Sequence, residues 1–178
     1  MVREAKLKDA QAIQNLICFY SEDGKMLFRT FEEIEQHIAD FLVYEKNNEI
    51  VGISSLKFGW DRLVEIRSLG VDPRYHRQGI ATQMIRFSIE RALLQNNCDT
   101  MFVLTYAVPL FNKFGFKIVD KIQLPQKVWN DCQACLHKDN CDETAMSLSL
   151  LSLKKLPEKE LSLRKQTLLK DTQRTLSF

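Results

Sequence analysis

The segment from Glu65 to Ala81 reads EIRSLGVDPRYHRQGIA. A β-prone run stops at Asp72-Pro73, and a helix-prone run opens at Gln78-Gly79-Ile80-Ala81. The first turn of a helix has backbone N–H groups without internal partners and carries the positive end of the helix dipole. A pyrophosphate accepts those bonds. Gly79 lets such a group approach the backbone, and small Ala81 leaves similar room two residues on. Arg74 and Arg77 would add longer-range attraction for an anion. A lone Gly-x-Ala at an ordinary helix start looks the same. The strand before the loop, the Val-Asp-Pro stop and the amphipathic helix after it are what point to phosphate.

The second chemically suggestive group is Cys132-x2-Cys135 with Cys141, and His137 lies among them. Its spacing approaches that of a zinc site. Ten residues are tight for a closed tetrahedral site, and paired Cys-x-x-Cys knuckles are absent. Thiols in a loop are therefore expected, and no metal. Cys18 and Cys98 complete the five cysteines.

The surrounding elements follow from periodicity. Residues 2–6 read as a short strand. Asp9 precedes a helical pattern in which Ile13, Leu16, Ile17 and Tyr20 share one face. Thr30 and Glu33 form a capping-box pattern, with Ile34, Ile38 and Phe41 at helical spacing after it. Residues 42–45 and 50–58 read as strands around Lys46-Asn47-Asn48-Glu49, and Asn tolerates the positive φ of a hairpin turn. Residues 63–71 form a strand, 78–95 a helix and 100–105 a short buried strand. Pro109 suits the first turn of a helix and Gly115 its C-terminal stop. Residues 116–120 and 144–150 are the last strands. The order βααβββαβαββ predicts a mixed α/β (α+β) fold.

The phosphate loop with its flanking elements resembles the acetyl-CoA loop of the GNAT superfamily of N-acetyltransferases. One departure is His76, three residues before Gly79, where the family usually has Gln or Arg. Four further segments are similar to the short bacterial amino-acid N-acetyltransferases, the N-acetylglutamate synthase type: Met26–Arg29, Glu65–Leu69, Leu104–Tyr106 and Leu124–Cys132. The last is the most specific, because generic GNATs lack it. The resemblance covers roughly residues 1–150.

It implies a mixed, mostly antiparallel twisted sheet of about six to seven strands flanked by helices. It also implies acetyl-CoA as co-substrate and glutamate as acceptor, in the first step of arginine biosynthesis. Leu69, Gly70 and Val71 would pair with the pantetheine arm, and Arg77, Gln78, Gly79, Ile80, Ala81 and Thr82 would line the pyrophosphate. Gly70 has no side chain to block a ligand alongside it.

A glutamate acceptor offers two carboxylates and one amine, and Arg matches a carboxylate with a two-toothed fork. Arg29, Arg67 and Lys127 are the candidates, each with a surface charge as its alternative. Trp129 would wall the pocket or fill the core. The amine must lose a proton, and Glu65 matches the carboxylate commonly assigned as base; its alternative is a salt bridge to Arg67. Glu65 and Leu69 share a face of their strand only if no bulge intervenes. Many members place a Tyr acid four residues before the Gly-Phe pair. Here that residue is Phe111, which leaves Tyr106 as a fallback donor.

Composition sets the outer bounds. The chain has 178 residues and a net charge of +2. Residues 151–178 carry +4, so the first 150 carry −2 and nothing points to nucleic acid. There is no apolar run long enough for a membrane helix and no apolar N-terminal segment, so a cytoplasmic location is expected. The expected organisation is a domain at 1–150 and a basic tail at 151–178, weakly helical or without structure. That tail would contact a second subunit in a homodimer or an anionic partner. Two rival readings remain: a GNAT for another amine, and a degenerate acetyl-CoA-binding regulator.

Overall fold

The computed structural model of the protein describes residues 1–60, 62–124, 133, 135 and 140–154. In chain order the elements are β1 (Val2–Glu4), α1 (Ala10–Glu22), α2 (Phe31–Gln36), β2 (Phe41–Lys46), β3 (Glu49–Trp60), β4 (Leu63–Val71) and α3 (Ile80–Leu93). After them come β5 (Thr100–Thr105), α4 (Val108–Asn112), β6 (Lys117–Ile118), β7 (Thr144–Ser149) and α5 (Leu150–Lys154). The strands form one seven-stranded sheet in the order β1-β2-β3-β4-β5-β7-β6. Every pairing is antiparallel except that of β4 with β5. The element order predicts the mixed α/β class, and the family resemblance implies the mostly antiparallel seven-stranded sheet seen here.

Strand alternation divides the core between the two faces of the sheet. Val43 and Ile53 point to one face and pack with Ile13, Leu16 and Ile17 of α1 and Ile34 of α2. Leu42, next to Val43, points to the other and packs with Ile80 and Met84 of α3, as does Val51, which lies two residues from Ile53 and is turned to that face by a register shift beside Tyr44 and Glu45. Gly52 sits under the start of α3, where a Cβ would lie 3.0 Å from both Ile80 and Met84. The missing side chain lets the first turn of α3 press against the sheet.

Local signals hold where local chemistry decides. Asn47 and Asn48 have φ of 51° and 62° and join Lys46 to Glu49 in a two-residue turn, matching the twist of the flanking strands. Thr30 Oγ1 accepts from the Glu33 N–H at 3.2 Å, and Glu33 Oε2 accepts from the Thr30 N–H at 2.8 Å. Elsewhere tertiary pairing overrides spacing. The helix begun by Thr30 ends at Gln36, and Phe41, expected on its face, opens β2 opposite Ser55 and is buried beside Val43. Residues 116–120 supply only the two-residue β6. The final strand stops at Ser149. Buried Leu150 opens α5, its N–H held by the Asp99 carbonyl at 2.7 Å.

The strand at the sheet edge is tied to α1 by charge. Arg3 grips Asp9 through two bonds, Nη1 to Oδ2 at 2.7 Å and Nη2 to Oδ1 at 2.9 Å, and its Nε meets Glu45 at 2.6 Å. Asp9 is buried and also accepts from the Lys6 N–H at 2.8 Å. Its hydrogen bond to Arg3 holds the carboxyl below the usual range, against the opposing effect of burial. A carboxylate depressed in the folded state contributes stability that is present above its unfolded pKa of about 3.9 and is lost as pH falls through the folded value. Asp9→Asn is therefore expected to cost about 2 kcal/mol at neutral pH, in the range of charge-assisted bonds. The difference between the two proteins should shrink below about pH 4; thermal melts of both from pH 2 to 7 check it.

Candidate functional site

β4 and β5 run side by side only from Leu63 opposite Thr100 to Glu65 opposite Phe102. Beyond that point β4 stays with β3 as far as Val71, and β5 stays with β7 as far as Thr105. The sheet opens between them. A bulge lies on the β4 side of the opening: Ile53 opposes Gly70 but Ser55 opposes Arg67, so β4 carries one extra residue. Ser68, within the bulge, has φ of 49°.

The bulge changes which side chains share a face. Ile66 packs with Ile85 and Ile89 of α3, and Val71 packs with Ile80 and Met84 of the same helix. Leu69 joins both groups. Glu65, Arg67 and Gly70 therefore take the α1 face. Glu65 and Leu69, four apart, lie on opposite faces because the extra residue shifts the period.

A cavity of about 350 Å³ fills the opening. Of the residues singled out by sequence, Arg29, Glu65, Arg67, Leu69, Tyr106 and Phe111 line it, with Cys135 and Cys141. Arg67 Nε stands 3.6 Å from Glu65 Oε2, and both side chains are 9% exposed. The salt bridge that competed with the base reading is thus present, and it borders the cavity. Lys127 and Trp129 fall outside the described residues, as do Cys132 and His137. Cys135 and Cys141 are thiols on the cavity wall.

The loop residues gather at the far end of β4. The first helical bond of α3 runs from the Gln83 N–H to the Gly79 carbonyl at 3.1 Å, so the N–H groups of Ile80, Ala81 and Thr82 precede the ladder. No side chain caps this end, and Gly79 is left-handed at φ 73°. Ile80 is buried against the sheet and can offer a ligand only its backbone. Such an uncapped N-terminus fits a phosphate group. Arg74 is spoken for: it pairs with Asp72 at 2.7 Å and with Glu49. That corrects the expectation that it serves as an attracting charge. Gly70 is also not an open flank, since a Cβ there would meet the Tyr20 ring at 3.0 Å and Met26 at 3.3 Å.

Residues 7–116 match the family model described as Acetyltransferase (GNAT) family. The chain belongs to the GNAT acetyltransferase family. It is 36% identical over 149 residues to an uncharacterized N-acetyltransferase of Chlorobaculum tepidum, covering 84% of this chain and 96% of that one. It is 30% identical over 128 residues to an amino-acid acetyltransferase of Aliivibrio fischeri, covering 71% of this chain but only 28% of that protein. Among solved structures it resembles N-acetylglutamate synthase from Neisseria gonorrhoeae complexed with coenzyme A and N-acetyl-glutamate. That likeness has a TM-score of 0.74 and 25% identity, over 84% of this chain and 35% of the synthase. The chain thus spans about a third of these longer relatives.

The residue four positions before the Gly115-Phe116 pair is Phe111, so that position carries no hydroxyl. Phe111 is buried and packs edge-on against Phe116, with ring centroids 5.2 Å apart. Tyr106 lines the cavity, but its hydroxyl donates to Asp142 Oδ1 at 2.8 Å. Burial first, and then this bond, push the phenol well above its ordinary range.

Sequence reasoning missed three features of the site. Tyr20 appeared only as part of a helix face, yet its ring lines the cavity and its hydroxyl donates to the Val71 carbonyl. Glu143 adds a carboxylate to the wall. Ser68 carries the bulge, and Ser gives no local signal for positive φ. Ser68→Val would place a β-branched residue at that φ, at a cost on the order of 1–3 kcal/mol. The expected outcome is a melting temperature lower by several degrees, read by calorimetry on both proteins.

Among the described residues no helix is long and apolar enough to cross a membrane.

Proposed function

We propose that the chain transfers an acetyl group from acetyl-CoA to the amine of a small amino acid, with L-glutamate as the acceptor. The observation that carries the reading is the joint placement of Glu65, Arg67 and Arg29 on one cavity at the opening between β4 and β5. The similarity to amino-acid acetyltransferases and to an N-acetylglutamate synthase supports the choice of acceptor.

Acetyl-CoA would supply the activated acetyl thioester. The N-terminus of α3, Gly79 to Thr82, would hold its pyrophosphate through backbone N–H groups, with Arg77 and Gln78 beside them. The edge of β4 at Leu69 to Val71 would border its arm. Arg67 and Arg29 would bind the acceptor's carboxylates, displacing part of the Glu65–Arg67 pairing. Glu65 would then take the proton from the acceptor's ammonium, directly or through water. Lys127 and Trp129 remain candidates for the acceptor side. The product N-acetylglutamate would place the activity at the first step of arginine biosynthesis, and the solubility of both substrates fits a cytoplasmic enzyme.

The test is thiol release from acetyl-CoA across a panel of amines that includes L-glutamate, L-glutamine, L-aspartate, spermidine and an N-terminal peptide. Glutamate-dependent release is expected. Turnover of another amine with none for glutamate would overturn the acceptor. Glu65→Gln is expected to lower kcat by about 10²–10⁴, the usual share of a general base, with the Kd for CoA little changed. A rate near that of the native enzyme would return Glu65 to its ion-pair role. Arg67→Ala should raise the KM for glutamate at least tenfold more than the KM for acetyl-CoA, about 1.4 kcal/mol of selective loss. Equal effects on both substrates would reject Arg67 as the carboxylate partner.

A further inference from the structure

The loop between β4 and α3 contains an expensive residue. Arg77 has φ of 60°, a left-handed conformation that an L-residue other than Gly, Asn or Asp rarely holds. The residues on either side of it are both pinned. Gln78 Oε1 accepts from Lys46 Nζ at 2.7 Å. His76 Nε2 lies 2.8 Å from the Val71 carbonyl and 3.1 Å from the Tyr20 hydroxyl, which donates to the same carbonyl.

The Val71 carbonyl is available for a reason written into the sheet. The Asp72 N–H bonds the Val51 carbonyl, so in the alternation of an antiparallel ladder Gly70 turns its polar groups to β3. Val71 turns its own the other way, toward the edge that β5 has left. Tyr20 reaches that edge because Gly70 has no Cβ; a methyl there would sit 3.0 Å from the ring. Burial raises the Tyr20 phenol, so its hydroxyl remains a donor. The imidazole nitrogen facing a carbonyl must carry the proton, so His76 donates as well.

We propose that Tyr20 and His76 are positioning residues that latch the phosphate-binding loop to the end of β4 and hold Arg77 in its left-handed conformation. The latch rests on the reading of the α3 N-terminus as the CoA phosphate site and adds to it the groups that preorganise that site. It also gives His76 a role other than phosphate contact: the ring is turned back to the strand. Because the Tyr20 ring borders the acceptor cavity while its hydroxyl serves the loop, one side chain ties the two halves of the site together.

The test uses the full chain and two readouts. Hydrogen exchange of the amides at 76–82 is measured without ligand, and the Kd for CoA is measured by calorimetry. Tyr20→Phe keeps the ring over Gly70 and removes only the hydroxyl; His76→Ala removes the second donor. Each is expected to speed loop exchange and to raise the Kd about three- to tenfold, as a lost hydrogen bond does, while the melting temperature stays nearly unchanged. The double variant should exceed the product of the singles, because either donor alone still serves the carbonyl and only the double leaves it bare. In an Arg77→Gly background, where positive φ costs nothing, the effect of His76→Ala should fall below about twofold. Unchanged loop exchange in both single variants would overturn the latch, as would an undiminished His76→Ala effect in the Arg77→Gly background. If the native protein bound no CoA, the proposed function would fall. The exchange measurement would still decide the latch: faster loop exchange in the variants supports it, unchanged exchange refutes it.

Discussion

The site depends on one break in hydrogen bonding, the parting of β4 and β5 after Glu65 and Phe102. Each strand keeps its other neighbour, so the sheet divides into two well-paired halves that share only three residues of parallel ladder. A sheet interior normally satisfies its backbone within itself. Here an interior edge is laid bare, and everything along it must find partners by other means. The Val71 carbonyl takes them from Tyr20 and His76. The space between the strands becomes the cavity.

Once the sheet has opened, the bulge at Ser68 decides what the cavity contains. Without the extra residue, the strand beyond Arg67 would present its apolar side chains to α1 and its glycine to α3. With it, Leu69 and Val71 stay with the α3 core, while Glu65, Arg67 and Gly70 face α1. Two charged side chains then lie almost out of water beside one another. Burying an ion pair is costly and adds little net stability, so such pairs are weak candidates for mere scaffolding. Their placement on a cavity is the reason we propose this side of the sheet for the acceptor.

The other end of β4 is governed by close approach. Gly52 lets the first turn of α3 press against the sheet, which buries Ile80 and leaves the helix end to act through its backbone. Gly70 does the same for Tyr20 on the opposite face. The two glycines thus set the distance of a helix from each face. The loop between them is fastened by side chains from β2, α1 and its own sequence, so its geometry belongs to the whole domain.

Signals that act over a few residues were complete in the sequence. The Asn47-Asn48 turn, the Thr30–Glu33 cap, the strand at 63–71, the glycine-started helix at 79–80 and the mixed α/β order all rest on local backbone preference or short-range periodicity. So does the motif that leads to the GNAT family. Three-dimensional pairing decided the rest. Phe41 left its helical pattern because β2 needed a partner for Ser55. Glu65 and Leu69 parted because an extra residue entered β4, and a Ser in that position carries no mark of it. Arg74 found Asp72 and Glu49, and Tyr20 found Val71 across 51 residues of chain. Residue types reveal which groups can do chemistry, since that is a property of the side chain alone. Which of them meet depends on strand register and on the distance between helix and sheet, and those are set only when the whole core packs.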